Sequence, residues 1–268
     1  MQLVKDLASL DKLINQFSVK GTYSNNYLLT SAYEEYIKDS RLHLIAGSSN
    51  AGLLVEKEGF YRLYYYLNDF DEVMTALPAE PVVLEMIYRG EAKRPVAETA
   101  YWEKCGFRQH LVRDNLMASY GQLTMPLAVA PDVQISYARN REEVSFVHEL
   151  MQHALDRYTG DQMSLEELEQ AALNRNLLLA TWNVRFAGFL RSYIKNDVAW
   201  LGHIVVADEF RGKGIANELV RTYIQDNSKG DDTRYQLWVI QDNLGAVRLY
   251  QKFGFKSGNK SAAAMLKL

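Results

Sequence analysis

Arg211-Gly212-Lys213-Gly214-Ile215-Ala216 stands between an apolar run, Ala199 to Val206, and a segment with apolar residues at helical spacing: Ile215, Ala216, Leu219, Val220, Tyr223 and Ile224. A strand, a glycine-bearing turn and a helix in that order leave several backbone N–H groups unpaired, and the helix dipole adds to their pull on a negative charge. The glycines let the main chain approach a ligand with no Cβ in the way, while Arg211 and Lys213 add positive charge. The stretch is built to hold a phosphate or pyrophosphate, although a glycine pair between strand and helix is also a plain way to reverse direction. It is not a nucleoside-triphosphate loop, which needs Gly-x-x-x-x-Gly-Lys-Ser/Thr, nor a dinucleotide loop, because Asn217 stands where the third glycine belongs. It also comes late in the chain, whereas nucleotide-binding α/β domains place such a turn after the first strand.

The six residues resemble the pyrophosphate loop of the GNAT superfamily of acyl-CoA N-acyltransferases, Gln/Arg-x-x-Gly-x-Gly/Ala, through Arg211, Gly214 and Ala216. Downstream, the strand-like Arg234 to Val239 is followed by Asn243, Ala246, Leu249, Tyr250, Lys252, Gly254 and Phe255. That spacing is similar to the Asn-x-x-Ala-x-x-Leu-Tyr-x-Lys-x-Gly-Phe segment that closes the cofactor cleft in the family. The resemblance runs from about Val133 to Leu268. It implies an α/β fold of the mixed α+β kind, with a mostly antiparallel central sheet flanked by helices.

The first half reads as a degenerate copy of the same unit, so the expected architecture is two GNAT-like domains in tandem. Gly254 and Gly106 are 148 positions apart, and at that offset Trp102 to Phe107 lies over Tyr250 to Phe255. The first copy lacks the glycine turn: Asn68 to Leu77 carries acids where a phosphate would sit, and Pro95 and Trp102 replace Asn243 and Tyr250. The expected boundaries are 1–120 for this copy, 121–133 for a linker containing Pro126 and Pro131, and 134–268 for the catalytic domain.

The 268 residues suit two domains of ordinary size. A net charge of −3 gives nucleic acid no electrostatic footing. No signal-type N-terminus or membrane-length apolar run is present, so the expectation is a cytoplasmic protein without a membrane partner, monomeric or homodimeric. The single cysteine, Cys105, overlies Phe253 and reads as core. His148 and His153 are five apart on a helix, on different faces, so no metal is expected.

Helical spacing runs over Leu3 to Phe17, Tyr27 to Lys38, Arg94 to Lys104, Glu142 to Asp156 and Ser164 to Asn174. Strand patterns cover Leu42 to Ala46, Gly52 to Glu56, Phe60 to Leu67, Pro81 to Tyr88, Ile135 to Ala138, Leu177 to Trp182 and Phe186 to Tyr193. Ser164 to Glu167 has the form of a capping box. The aromatic run Phe60 to Tyr66 reads mainly as core, with a pocket lining as the alternative.

The resemblance implies attack of a primary amine, on a small molecule or an amino acid, on the thioester of acetyl-CoA or another acyl-CoA. Cofactor contacts would come from Arg211, Gly212, Lys213, Gly214, Ile215 and Ala216 at the pyrophosphate. Main-chain groups of Ile204, Val205 and Val206 would serve the oxyanion and the pantetheine arm, and Asn243 would either bond that arm or cap a helix. Tyr250 is the candidate partner of the leaving thiolate. A phenol near pKa 10 is a weaker acid than a thiol near 8.5, so full proton transfer is uphill by about 2 kcal/mol and hydrogen bonding matters more. His203 is the candidate base, with a packed strand histidine as the alternative, and Asp197 and Asp208 are weaker candidates. Keeping a lysine-type amine neutral at pH 7 costs about 4.6 kcal/mol and an α-amine about 1. The first copy would help wall the acceptor side. The rival reading is a non-catalytic acyl-CoA sensor or adaptor.

Overall fold

A computed structural model describes residues 1–126 and 131–268. In chain order the elements are β1 (Gln2–Leu3), α1 (Leu7–Phe17), β2 (Tyr23–Ser24), α2 (Thr30–Lys38), β3 (Leu42–Ala46), β4 (Ala51–Lys57), β5 (Phe60–Leu67), β6 (Val82–Arg89), α3 (Val96–Lys104) and β7 (Arg108–Ser119). They continue with β8 (Val133–Tyr137), α4 (Arg141–Ala154), α5 (Leu165–Leu173), β9 (Leu177–Trp182), β10 (Arg185–Lys195), β11 (Val198–Val206), α6 (Ile215–Asn227), β12 (Arg234–Ile240), α7 (Leu244–Lys252) and β13 (Lys256–Lys267). Among the described residues no helix is long and apolar enough to cross a membrane.

The chain packs as two units, 1–112 with 260–268, and 113–259. Residues 113–119, expected in the first domain, pair antiparallel with β12 in the second unit. Lys260–Lys267, expected in the second domain, pair antiparallel with β6 in the first. The expected linker is in part tied down, since the Gly121 N–H donates to the Asp231 carbonyl and the Thr124 N–H to that of Phe253, both at 3.0 Å. Its residues 127–130 lie outside the described residues.

In the first unit β1, β3, β4 and β5 form antiparallel pairs. Strands β5 and β6 are parallel, but only Tyr61 and Arg62 pair, with Val82 and Val83. Beyond that point the chain's own β2 segment takes the β5 edge. Tyr23 and Ser24 pair with Leu67 and Tyr66. Asn25 then bridges the gap, its Nδ2 donating to the carbonyls of Leu63 at 3.1 Å and Glu85 at 3.0 Å while its Oδ1 accepts the Tyr65 N–H at 2.7 Å. Between β5 and β6 there is no helix; instead the Glu72 carboxylate accepts from the amides of Ser48, Ser49 and Asn50 at 2.6–2.9 Å. The core gathers Tyr65, Trp102, Phe107 and Cys105, whose thiol burial pushes up in pKa. The aromatic run is core here: Tyr64, Tyr65 and Tyr66 are buried, and Tyr65 packs 5.1 Å from Trp102.

The second unit is ordered β7, β12, β11, β10, β9, β8, with β11 and β12 parallel and the rest antiparallel. One face carries α6 through Ile215, Leu219, Val220, Tyr223 and Ile224, together with Tyr250 and Phe253 of the α7 end. Each such burial is worth about 1.5–3 kcal/mol. The other face carries α4 and α5 through Val144, Val147, Met151 and Leu168, packed on Leu177, Leu179, Phe189 and Val205.

Both α4 and α5 begin with full capping boxes, Asn140 with Glu143 and Ser164 with Glu167. Helix α1 starts at Leu7 rather than Leu3, because the Asp6 side chain accepts the Ser9 N–H and sets the start. The offset of 148 holds at the helix ends: Val96–Lys104 and Leu244–Lys252 are each nine residues, followed by Gly106 at φ +90° and Gly254 at φ +88°. Only glycine adopts that turn cheaply.

Candidate active site

The pyrophosphate-type loop forms where β11 ends. Its two glycines take the left-handed conformation, Gly212 at φ +78° and Gly214 at φ +81°, and Gly214 caps α6 without a side-chain hydrogen bond. Among the described residues the amides of Gly212, Lys213, Gly214, Ile215 and Ala216 donate to no protein acceptor. Five donors thus stand in succession at the positive end of a thirteen-residue helix. The Ile215 side chain is buried, so only its amide serves the loop. Lys213 lies 5.0 Å over the Trp182 ring and 5.1 Å over that of Phe210, which holds its ammonium beside the loop. Arg211 is committed to Asp208 at 2.7 Å, both groups being exposed.

The same strand opens a slot. Parallel pairing of β11 with β12 ends at Leu201 opposite Leu237, so, among the described residues, 202–206 have no strand partner on that side. Strand β12 continues to Ile240 against β7 alone. The Ala207 N–H donates to the Ala187 carbonyl at 2.9 Å across the β10 side. Amides alternate in direction along an antiparallel strand, so those of Val206 and Ile204 point into the slot and that of Val205 points to β10. The expectation for Val205 is therefore corrected: its amide serves the ladder and its side chain packs with Phe189 and α4. Where β12 leaves β11, Asn115 Nδ2 donates to the Leu237 carbonyl at 3.0 Å in a buried position. Sequence reasoning missed Asn115, because a lone asparagine in a strand pattern carries no signal.

Tyr250 sits on the α6 face, 3% exposed, its ring 5.9 Å from that of Phe255. Burial raises its pKa well above the ordinary phenol range, which weakens it further as a proton donor and leaves hydrogen bonding as its chemistry. Asn243 caps α7, its Oδ1 accepting the Ala246 N–H at 3.1 Å. That is the capping role; its amide nitrogen remains on an exposed residue.

His203 lies on the opposite face, paired with Arg191 across the β10–β11 ladder. Gly202 is the extra residue of a bulge at that point, because Arg191 faces His203 and Ser192 faces Leu201. Burial depresses the His203 imidazole to about 4; Asp161 opposes the shift, and Arg191 and Arg113 add to it. It is neutral at pH 7, available to accept a proton but weakly basic, so the expected poise near neutrality is corrected. Asp197, at φ +57°, lies in the exposed β10–β11 turn, and exposed Asp208 is paired with Arg211. An open cavity of about 400 Å³ lined by Asp197, Asn227, Lys229 and Thr233 lies at the other end of β11 from the loop. Among the described residues no cluster of three or more His, Cys, Asp or Glu is placed to hold a metal ion.

The unit thus has two approaches to one slot, with the anion loop and Tyr250 on one face and His203 on the other. Residues 145–255 match the Acetyltransferase (GNAT) family. The chain is 32% identical over 63 residues to a spermine/spermidine N(1)-acetyltransferase of Bacillus subtilis, a match covering 23% of this chain and 41% of that protein. The chain therefore spans less than half the length of the curated relatives it matches. In fold it is similar to a GCN5-related N-acetyltransferase from Sphaerobacter thermophilus, with TM-score 0.58, 15% identity, and 87% and 84% of the two chains covered. A tandem GNAT protein from the clavulanic acid biosynthesis pathway is similar over 99% of this chain and 89% of its own, with TM-score 0.53 and 11% identity. The loop and the slot thus lie in or beside the stretch, residues 145–255, that is similar to the acetyltransferase (GNAT) family.

Proposed function

We propose that the second unit transfers an acyl group, most simply acetyl, from acyl-CoA to a primary amine by direct attack. The observation that carries this is the set of five unpartnered amides at 212–216, placed at the mouth of the slot where β11 leaves β12. The loop suits the diphosphate, and the free edge of 202–206 suits the amides of the pantetheine arm, which would add to it as a strand does.

The amine nitrogen forms a bond to the thioester carbon, the C–S bond breaks, and the thiolate leaves. The Ile204 and Val206 amides suit the oxyanion, Tyr250 hydrogen-bonds the departing sulfur, and His203 takes the amine proton and passes it to solvent. The first unit takes no part in donor binding, since its own residues 23–25 occupy the matching edge.

A non-catalytic acyl-CoA sensor is the second reading, favoured by the low basicity of His203. Calorimetry with CoA and thiol release from acetyl-CoA with a panel of amines separate the two. Uptake with release supports the transferase, uptake without release under any amine supports the sensor, and no uptake defeats both.

A further inference from the structure

Arg191 and His203 are directly opposite in the β10–β11 ladder, so their side chains leave the same face of the sheet. The Arg191 side chain crosses the bulge: a Cβ on Gly202 would stand 3.0 Å from Arg191 Nη1 and 3.1 Å from its Cδ. Its guanidinium lies 4.6 Å over the Tyr193 ring. Among the described residues no carboxylate or carbonyl pairs with it, and its Nε is buried without an acceptor. Asp161 and Glu167 act on it only from a distance, and Glu167 is engaged at the Ser164 amide at 2.8 Å. Arg113, whose Nη1 donates to the Thr159 carbonyl at 3.1 Å, brings a second guanidinium into the field of His203.

A partly buried cation without a counter-ion is costly unless an anion completes it. We infer that Arg191 receives a carboxylate of the acceptor, so that the substrate is an amine bearing its own acid group, of amino-acid type, rather than a polyamine. The inference rests on the acyl-transfer reading above. A polyamine would bring several positive charges against the Arg191 guanidinium and offer it no counter-ion. The α-amine of an amino acid is less basic than a lysine-type or polyamine nitrogen, which eases the demand on a weakly basic His203.

The test uses the full chain, acetyl-CoA and matched acceptors: ornithine against putrescine, phenylalanine against phenethylamine, and spermidine. The acid-bearing member of each pair is expected to show kcat/KM at least about tenfold higher. Arg191→Met should raise KM for the acid-bearing acceptors roughly tenfold to a hundredfold with kcat little changed, and erase the preference. Arg191→Lys should restore part of it, and Gly202→Ala, which displaces the arginine, should mimic the loss. Preference for putrescine, phenethylamine or spermidine overturns the inference, as does an Arg191→Met variant that affects both members equally. In those cases turnover persists and acyl transfer stands, whereas absence of CoA uptake defeats the acyl-transfer reading itself.

Discussion

Asn115 Nδ2 donates to the Leu237 carbonyl at 3.0 Å, at the residue where β12 ceases to pair with β11. Leu237 pairs with Leu116 of β7 there, so the Asn115 side chain adds to the β7–β12 ladder at the point where β11 departs. Replacing Asn115 with Leu removes one buried hydrogen bond, which costs about 0.5–1.5 kcal/mol. Thermal unfolding should fall by roughly 2–4 °C for each kcal/mol lost. An unchanged melting temperature would remove Asn115 from this role.

Gly214 must hold φ +81°. Alanine there costs about 1–2 kcal/mol and disturbs the amide cradle. Gly21, at φ +96° with nothing within 4 Å of an added Cβ, is the control in the first unit. Both alanine variants should lose similar stability, but only Gly214→Ala should lose CoA affinity, by about tenfold in calorimetry. Equal affinity in the two would detach the loop from the diphosphate.

Tyr250→Phe removes a hydroxyl and keeps the ring against Phe255. If the hydroxyl bonds the departing sulfur, kcat should drop about tenfold to a hundredfold with KM nearly constant. A variant that loses substrate affinity at full kcat would point to packing instead.

His203 has a depressed pKa, about 4 against an ordinary 6.5, through burial, with Asp161 opposing the shift and Arg191 and Arg113 favouring it. The unfolded chain binds more protons between those values, so stability rises with pH across that window. The contribution is present above about 6.5 and lost as pH falls through about 4. An imidazole titration by NMR should place the midpoint near 4, and His203→Gln should flatten the acid side of the stability curve between these values. A midpoint near 6.5 would mean that the ring is solvated.

Much of this was legible because local patterns carry it. The cap at Ser164, the glycine turn at 212–214 and the helix–glycine repeat at Gly106 and Gly254 all act within a few residues of themselves. What was not legible is long-range. Nothing in Arg113–Ser119 or Lys260–Lys267 names the strand each will join, since alternation specifies a face and not a neighbour. Arg191 falls inside the strand pattern Phe186 to Tyr193 and belongs to no motif. Only the bulge at Gly202 and the register opposite His203 give it meaning. Asn25 had no motif at all, because its role comes from two strands that part dozens of residues downstream.

The Tyr23–Asn25 segment, lying along β5 with its asparagine reaching to β6, is a natural template for a blocked groove. If the donor reading holds, each polypeptide withdraws one molecule from the thioester pool and not two, so saturation should follow a simple hyperbola with no cooperativity inside a single chain. A short extended peptide ending in a carboxamide, laid against 202–206 in the same manner, would then compete with the donor and offers a starting scaffold for an inhibitor.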